Sequence, residues 1–113
     1  MTDITVMTED EILEQIQGEV ATNRVFLYMK GMPDAPACGF SMRVVQMLSH
    51  LDTQYGSRNI LEDPRVRQVL SDWSDWPTIP QLFVDGTLVG GCDIVTELYQ
   101  EGELEMLRPE ATN

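Results

Sequence analysis

Positive charge is scarce in this sequence. Lysine and arginine number 7 against 19 acidic residues, a formal net charge of -12, and Lys30 is the only lysine. So acidic a chain is not suited to general nucleic-acid binding, which needs a basic face to displace counterions. It is equally unsuited to docking on anionic membranes. Long apolar runs are missing too, and none approaches the span of a transmembrane helix. The opening residues, M-T-D-I-T-V-M-T-E-D, have no basic stretch followed by an apolar one and are too acidic for a mitochondrial transit peptide, so a cytoplasmic protein is expected. Cysteine occurs only at Cys38 and Cys92, too few for a disulfide framework, and the absence of any C-x-x-C excludes a thioredoxin-type pair within one motif. There is no internal repeat, linker or low-complexity tract.

What is present fits one small globular domain: 113 residues, 42% of them hydrophobic and 23% charged. Thr8-Glu9-Asp10-Glu11 has the form of a capping box, and Ile12, Leu13, Ile16 and Val20 then fall on one helical face that ends near Asn23. Val25–Met29 is continuously apolar, as a central buried strand is. Phe40, Val44, Met47, Leu48 and Leu51 give the apolar face of a second helix, and Tyr55–Ile60 reads as a weaker strand. Asp63-Pro64 opens a third helix with a buried stripe of Val66, Val69, Leu70 and Trp73. Two prolines bar a helix from Trp76–Pro80; Gln81–Val84 and Thr87–Val89 then form a hairpin about Asp85-Gly86. A last helix starts at Cys92-Asp93, with Ile94, Val95, Leu98 and Tyr99 as its apolar positions. The order α-β-α-β-α-β-β-α predicts an α/β fold: a mixed four-stranded sheet, its first two strands parallel, flanked by helices on both faces.

The chain is organised around Lys30–Ser41, a glycine- and proline-rich loop between the first strand and the second helix. Cys38 lies where that loop turns into the helix, whose unpaired N–H groups and dipole favour a negative sulfur. The alternative, a buried cysteine acting as a small hydrophobe, fits poorly beside Pro36 and Gly39. His50 is the only histidine and falls far along this helix, which argues against a Cys/His dyad and leaves it a solvated or capping role.

Four segments together resemble the monothiol glutaredoxins of the Cys-Gly-Phe-Ser type: Tyr28-Met29-Lys30-Gly31, Cys38-Gly39-Phe40-Ser41, Trp76-Pro77-Thr78-Ile79-Pro80-Gln81 and Gly90-Gly91-Cys92-Asp93. The resemblance implies a thioredoxin-like fold over 9–108, with an N-terminal extension over 1–8 and a tail over 109–113. It also implies a cis peptide before Pro80, bound glutathione, and a [2Fe–2S] cluster shared between two subunits. Cys38 is then the catalytic residue and the metal ligand, and Lys30, Cys38, Phe40, Arg67, Thr78, Ile79, Pro80, Cys92 and Asp93 form the cofactor site. The chemistry of glutathione, with two carboxylates, an ammonium group and a thiol, suits these residues. Lys30 and Arg67 match one carboxylate, and the Ile79 backbone matches an extended peptide. The helix start at Cys92 matches the second carboxylate, and Asp93 matches the ammonium group. Plainer roles stay open: Arg67 as a surface charge, Pro80 as structural, Asp93 as an N-cap, Cys92 as a filler that matters for its backbone.

The expected function is cluster assembly, transfer or iron homeostasis, with a homodimer when the cluster is bound. One subunit offers Cys38 and a glutathione sulfur, and two subunits complete the four thiolates such a cluster takes. Apo iron–sulfur recipients and BolA-like proteins are the implied partners. Glutathione-dependent thiol–disulfide exchange and a regulatory module with BolA-like proteins are the alternatives.

Overall fold

The computed structural model describes residues 7–109, so residues 1–6 and 110–113, most of the expected extension and tail, lie outside the described residues. Helix α1 is Glu9–Thr22, and its start is fixed by reciprocal bonds: the Thr8 hydroxyl accepts the Glu11 N–H (3.1 Å) and the Glu11 carboxylate accepts the Thr8 N–H (2.8 Å). Asn23 ends it, its side-chain amide donating to the Glu19 carbonyl at 2.9 Å. Strand β1 follows as Val25–Met29, then helix α2 as Gly39–His50, strand β4 as Gly56–Asn59 and helix α3 as Pro64–Ser74. Strands β5, Gln81–Val84, and β6, Thr87–Gly90, lead into helix α4, Cys92–Gln100. Short 3-10 turns occupy Ile60–Glu62 and Glu105–Leu107.

The sheet order is β4-β1-β5-β6. β1 runs parallel to β4, with Phe26 opposite Gly56 and Met29 opposite Asn59, and antiparallel to β5, with Tyr28 opposite Gln81. Asp85 and Gly86, at φ 52 and 80, make the tight turn that joins β5 to β6.

All five residues of β1 are buried, and alternate ones enter different cores. Val25, Leu27 and Met29 pack with Val44, Met47, Leu48 and Leu51 of α2 and Val95 of α4. Phe26 and Tyr28 pack with Ile12, Ile16 and Val20 of α1 and Val66 and Leu70 of α3. A strand covered on both faces has no polar side, hence the unbroken apolar run. The Tyr28 hydroxyl, fully enclosed, donates to Glu19 at 2.8 Å, and Arg58 bonds the same carboxylate at 3.2 Å, tying α1 to β1 and β4. Burial first, and the Glu19 charge second, raise the Tyr28 pKa.

Three features depart from expectation. The loop after β1 contains a two-residue ribbon, β2 (Gly31–Met32) against β3 (Ala35–Pro36), too short to show in a pattern. Gly31 permits it: at φ +91, a Cβ there would lie 2.6 Å from the Ala35 carbonyl oxygen. Phe40 and Ile94, expected on buried helical faces, are exposed at 59% and 38%. Each lies in the first turn of its helix and lines the cleft described below. Asp93 does not cap α4; Gly91 takes the N-cap position and makes no side-chain cap bond.

Candidate functional site

Cys38 is the N-cap of α2, in extended backbone at φ -150 and ψ 155. Its sulfur therefore sits where a capping oxygen would, and accepts the Ser41 N–H at 3.3 Å. The thiol also lies 3.4 Å from the hydroxyl of Ser41, which is completely buried. That hydroxyl accepts the Lys30 N–H at 3.1 Å, so one oxygen links the end of β1 to the sulfur. The loop between is closed by Ala37 N–H donating to the Lys30 carbonyl at 2.8 Å and by Gly31 N–H donating to the Asn59 side chain at 2.9 Å.

Partial burial works to raise the Cys38 thiol. The Ser41 hydroxyl, the peptide N–H groups of Ser41 and Phe40 and the charge of Lys30 outweigh it, so the thiol is more acidic than an ordinary cysteine. Cys92 differs: it is buried at the start of α4, its sulfur 3.9 Å from the Thr96 hydroxyl.

Beside Cys38 a cleft runs between Phe40 on α2, the Trp76–Pro80 loop and the start of α4. Thr78, Ile79, Pro80, Cys92, Asp93 and Ile94 line it. The Ile79–Pro80 peptide is cis. The Ile79 N–H and C=O make no backbone hydrogen bond among the described residues. Gly91 is the point of closest approach on the far wall: a Cβ there would lie 3.3 Å from both the Pro80 carbonyl oxygen and Trp76 Nε1. With no side-chain cap at Gly91, the first N–H groups of α4 are left for a ligand.

The structure thus gathers Phe40, Thr78, Ile79, Pro80, Cys92 and Asp93 into one cleft, with Cys38 two residues from Phe40. Lys30 and Arg67 are not part of its lining. Lys30 acts on the cysteine side, through its charge on Cys38. Arg67 touches the loop, its guanidinium donating to the Pro77 carbonyl oxygen at 3.4 Å. Four of the bases, Arg24, Arg58, Arg65 and Arg108, are paired with carboxylates. Lys30, Arg43 and Arg67 have no carboxylate partner among the described residues. Sequence reasoning gives no role to Ser41, Trp76 or Gln81. All three stand in the motifs quoted above, and that position is the available signal.

A thiol at a helix N-cap beside a cis-proline cleft defines a class of thioredoxin-like protein. The glutaredoxin family model matches residues 25–89. The chain is 50% identical over 101 residues to a probable monothiol glutaredoxin 2 of Rickettsia prowazekii, covering 89% of this chain and 94% of the relative. It is 50% identical over 98 residues to glutaredoxin 4 of Escherichia coli, covering 87% and 85%. The solution structure of reduced poplar apo GrxS14 superposes with a TM-score of 0.76 at 46% identity, covering 88% of this chain and 93% of that one. This chain belongs to the glutaredoxin family, among its monothiol members. Its thioredoxin-like fold and the absence of a second cysteine three residues after Cys38 agree with that membership.

Proposed function

We propose that this chain binds glutathione in the cleft beside Cys38 and carries a [2Fe–2S] cluster held between two copies, for assembly or transfer to recipient proteins or for iron homeostasis. The observation that carries this reading is a single accessible, acidified thiol beside a cleft suited to a peptide. An extended tripeptide finds free backbone groups at Ile79 and free N–H groups at the start of α4 for a carboxylate. Asp93, exposed in the first turn, takes the ammonium group. Lys30 and the remaining donors of Arg67 serve the other carboxylate.

The donor set fits a shared cluster. Among the described residues no group of three or more His, Cys, Asp or Glu side chains could hold a metal, and the Cys92 sulfur is buried beside Thr96. One chain therefore supplies one thiolate, Cys38. As cargo, the cluster takes four sulfur ligands, met by two Cys38 thiolates and two glutathione thiolates. A ligand that is not covalently attached suits release. A BolA-like protein or an apo recipient replacing the second copy uses the same arrangement.

The test is anaerobic reconstitution with iron, sulfide and glutathione. A coloured dimer is expected, absent without glutathione and absent in Cys38→Ser, and retained in Cys92→Ser. A stable cluster formed without glutathione, or one surviving in Cys38→Ser, overturns the proposal.

The acidified thiol also supports a second reading, thiol–disulfide exchange. The Cys38 thiolate attacks the glutathione sulfur of a mixed disulfide, and the substrate thiolate leaves. A second glutathione thiolate then attacks the Cys38–glutathione disulfide, releasing glutathione disulfide and restoring the Cys38 thiolate. Substantial turnover on such a disulfide, with no cluster formed, would favour it.

A further inference from the structure

Gln81, on the central sheet, is fully enclosed at 0% exposure. Its side-chain Nε2 donates to the Trp76 carbonyl at 3.0 Å and to the Thr78 carbonyl at 3.2 Å, while its Oε1 is buried with no partner among the described residues. A buried amide with one end unsatisfied is costly, and an apolar side chain would fill the same space at less cost. The two bonds it makes are therefore the feature to explain.

Both go to the loop that walls the cleft. In a trans peptide the carbonyl and the following N–H point in opposite directions from one plane. Holding the Thr78 carbonyl inward toward Gln81 turns the Ile79 N–H of the same peptide outward. The Gln81 backbone lies in register with Tyr28 of the central strand, so the anchor is rigid. The geometry points to Gln81 as the positioning residue that aims the Ile79 N–H at the bound peptide, acting through the Thr78 carbonyl. This inference rests on the glutathione reading above.

The test is a glutathione titration of isotope-labelled protein followed by amide shifts and hydrogen exchange. In the wild-type chain the Ile79 amide should shift and gain protection as glutathione binds, and the Gln81 side-chain amide protons should exchange slowly throughout. Gln81→Met, close in volume and without donors, should bind glutathione about five- to tenfold more weakly. Its Ile79 amide should no longer respond, while the Cys92 and Asp93 amides still do. A purely structural role would not separate those responses. Unchanged affinity with a full Ile79 response in the folded variant overturns the inference. If Gln81→Met does not fold, the wild-type chain decides. Fast exchange of the Gln81 side-chain amide, or a glutathione response at Cys92 and Asp93 but not at Ile79, sinks this inference alone. No response anywhere in the cleft sinks the glutathione reading with it.

Discussion

At the scale of single residues, Cys38 is a weak acid placed where its anion is favoured. Folding lowers its pKa, so the ionised form stabilises the folded chain. That contribution is complete above the ordinary thiol pKa and is lost as pH falls through the lowered folded-state value. Cys38→Ser should therefore cost more stability at alkaline than at mildly acidic pH, read by denaturant unfolding across that window. Alkylation mapped to each cysteine should proceed at Cys38 below the ordinary thiol range, while Cys92, buried against Thr96, stays slow. Equal alkylation rates at the two thiols would contradict the site as described. Lys30 contributes in two ways that sequence could not separate, its peptide N–H bonding Ser41 and its side chain adding charge near the sulfur.

At the scale of elements, the two glycines at helix starts are not equivalent. A Cβ at Gly39 meets nothing within 4 Å, whereas at Gly91 it crowds the Pro80 carbonyl and the Trp76 ring. Gly39→Ala should leave stability unchanged or raise it by up to about 1 kcal/mol. Gly91→Ala should lower it by about 1–3 kcal/mol, since a backbone carbonyl must give way. Thermal unfolding of both variants checks the contrast. The helices and core strands were legible because they repeat with the periods of helix and strand. The ribbon at Gly31–Pro36 was not, since two residues carry no period. Phe40 and Ile94 were assigned to buried faces because a helical stripe does not show where the covering sheet stops. Of the candidate site, the cleft residues were legible through the family motifs. Gln81 was not: a glutamine in a strand gives no sign that its amide bonds two carbonyls of the preceding loop. Nor does sequence show that Arg67 bonds the Pro77 carbonyl of that loop.

At the scale of the whole molecule, charge sets a condition on the proposed pairing of two copies. Two chains of net charge -12 repel, and Lys30, Arg43 and Arg67, the cations without carboxylate partners among the described residues, offset this only locally. Screening shortens that repulsion to about 8 Å at physiological ionic strength. A cluster-bridged pair should therefore become longer-lived as moderate salt is added, the reverse of an association driven by opposite charges. Sedimentation of the reconstituted protein across a salt series measures this, and a dimer that weakens steadily with salt would show that attraction dominates the interface.

The two halves of the site also differ in how far apart their parts lie along the chain. The bonds that acidify the thiol join Lys30, Cys38 and Ser41, close neighbours in sequence. The cleft must bring Phe40 against residues 76–94, which requires β5 to be in place beside β1 and β6 beside β5. Such distant closures cost more chain entropy and are the natural seam for partial opening. A chain opened along that seam would keep the bonds among Lys30, Cys38 and Ser41 while the cleft came apart. The cleft is the more perishable half of this site, and the hairpin holds it closed.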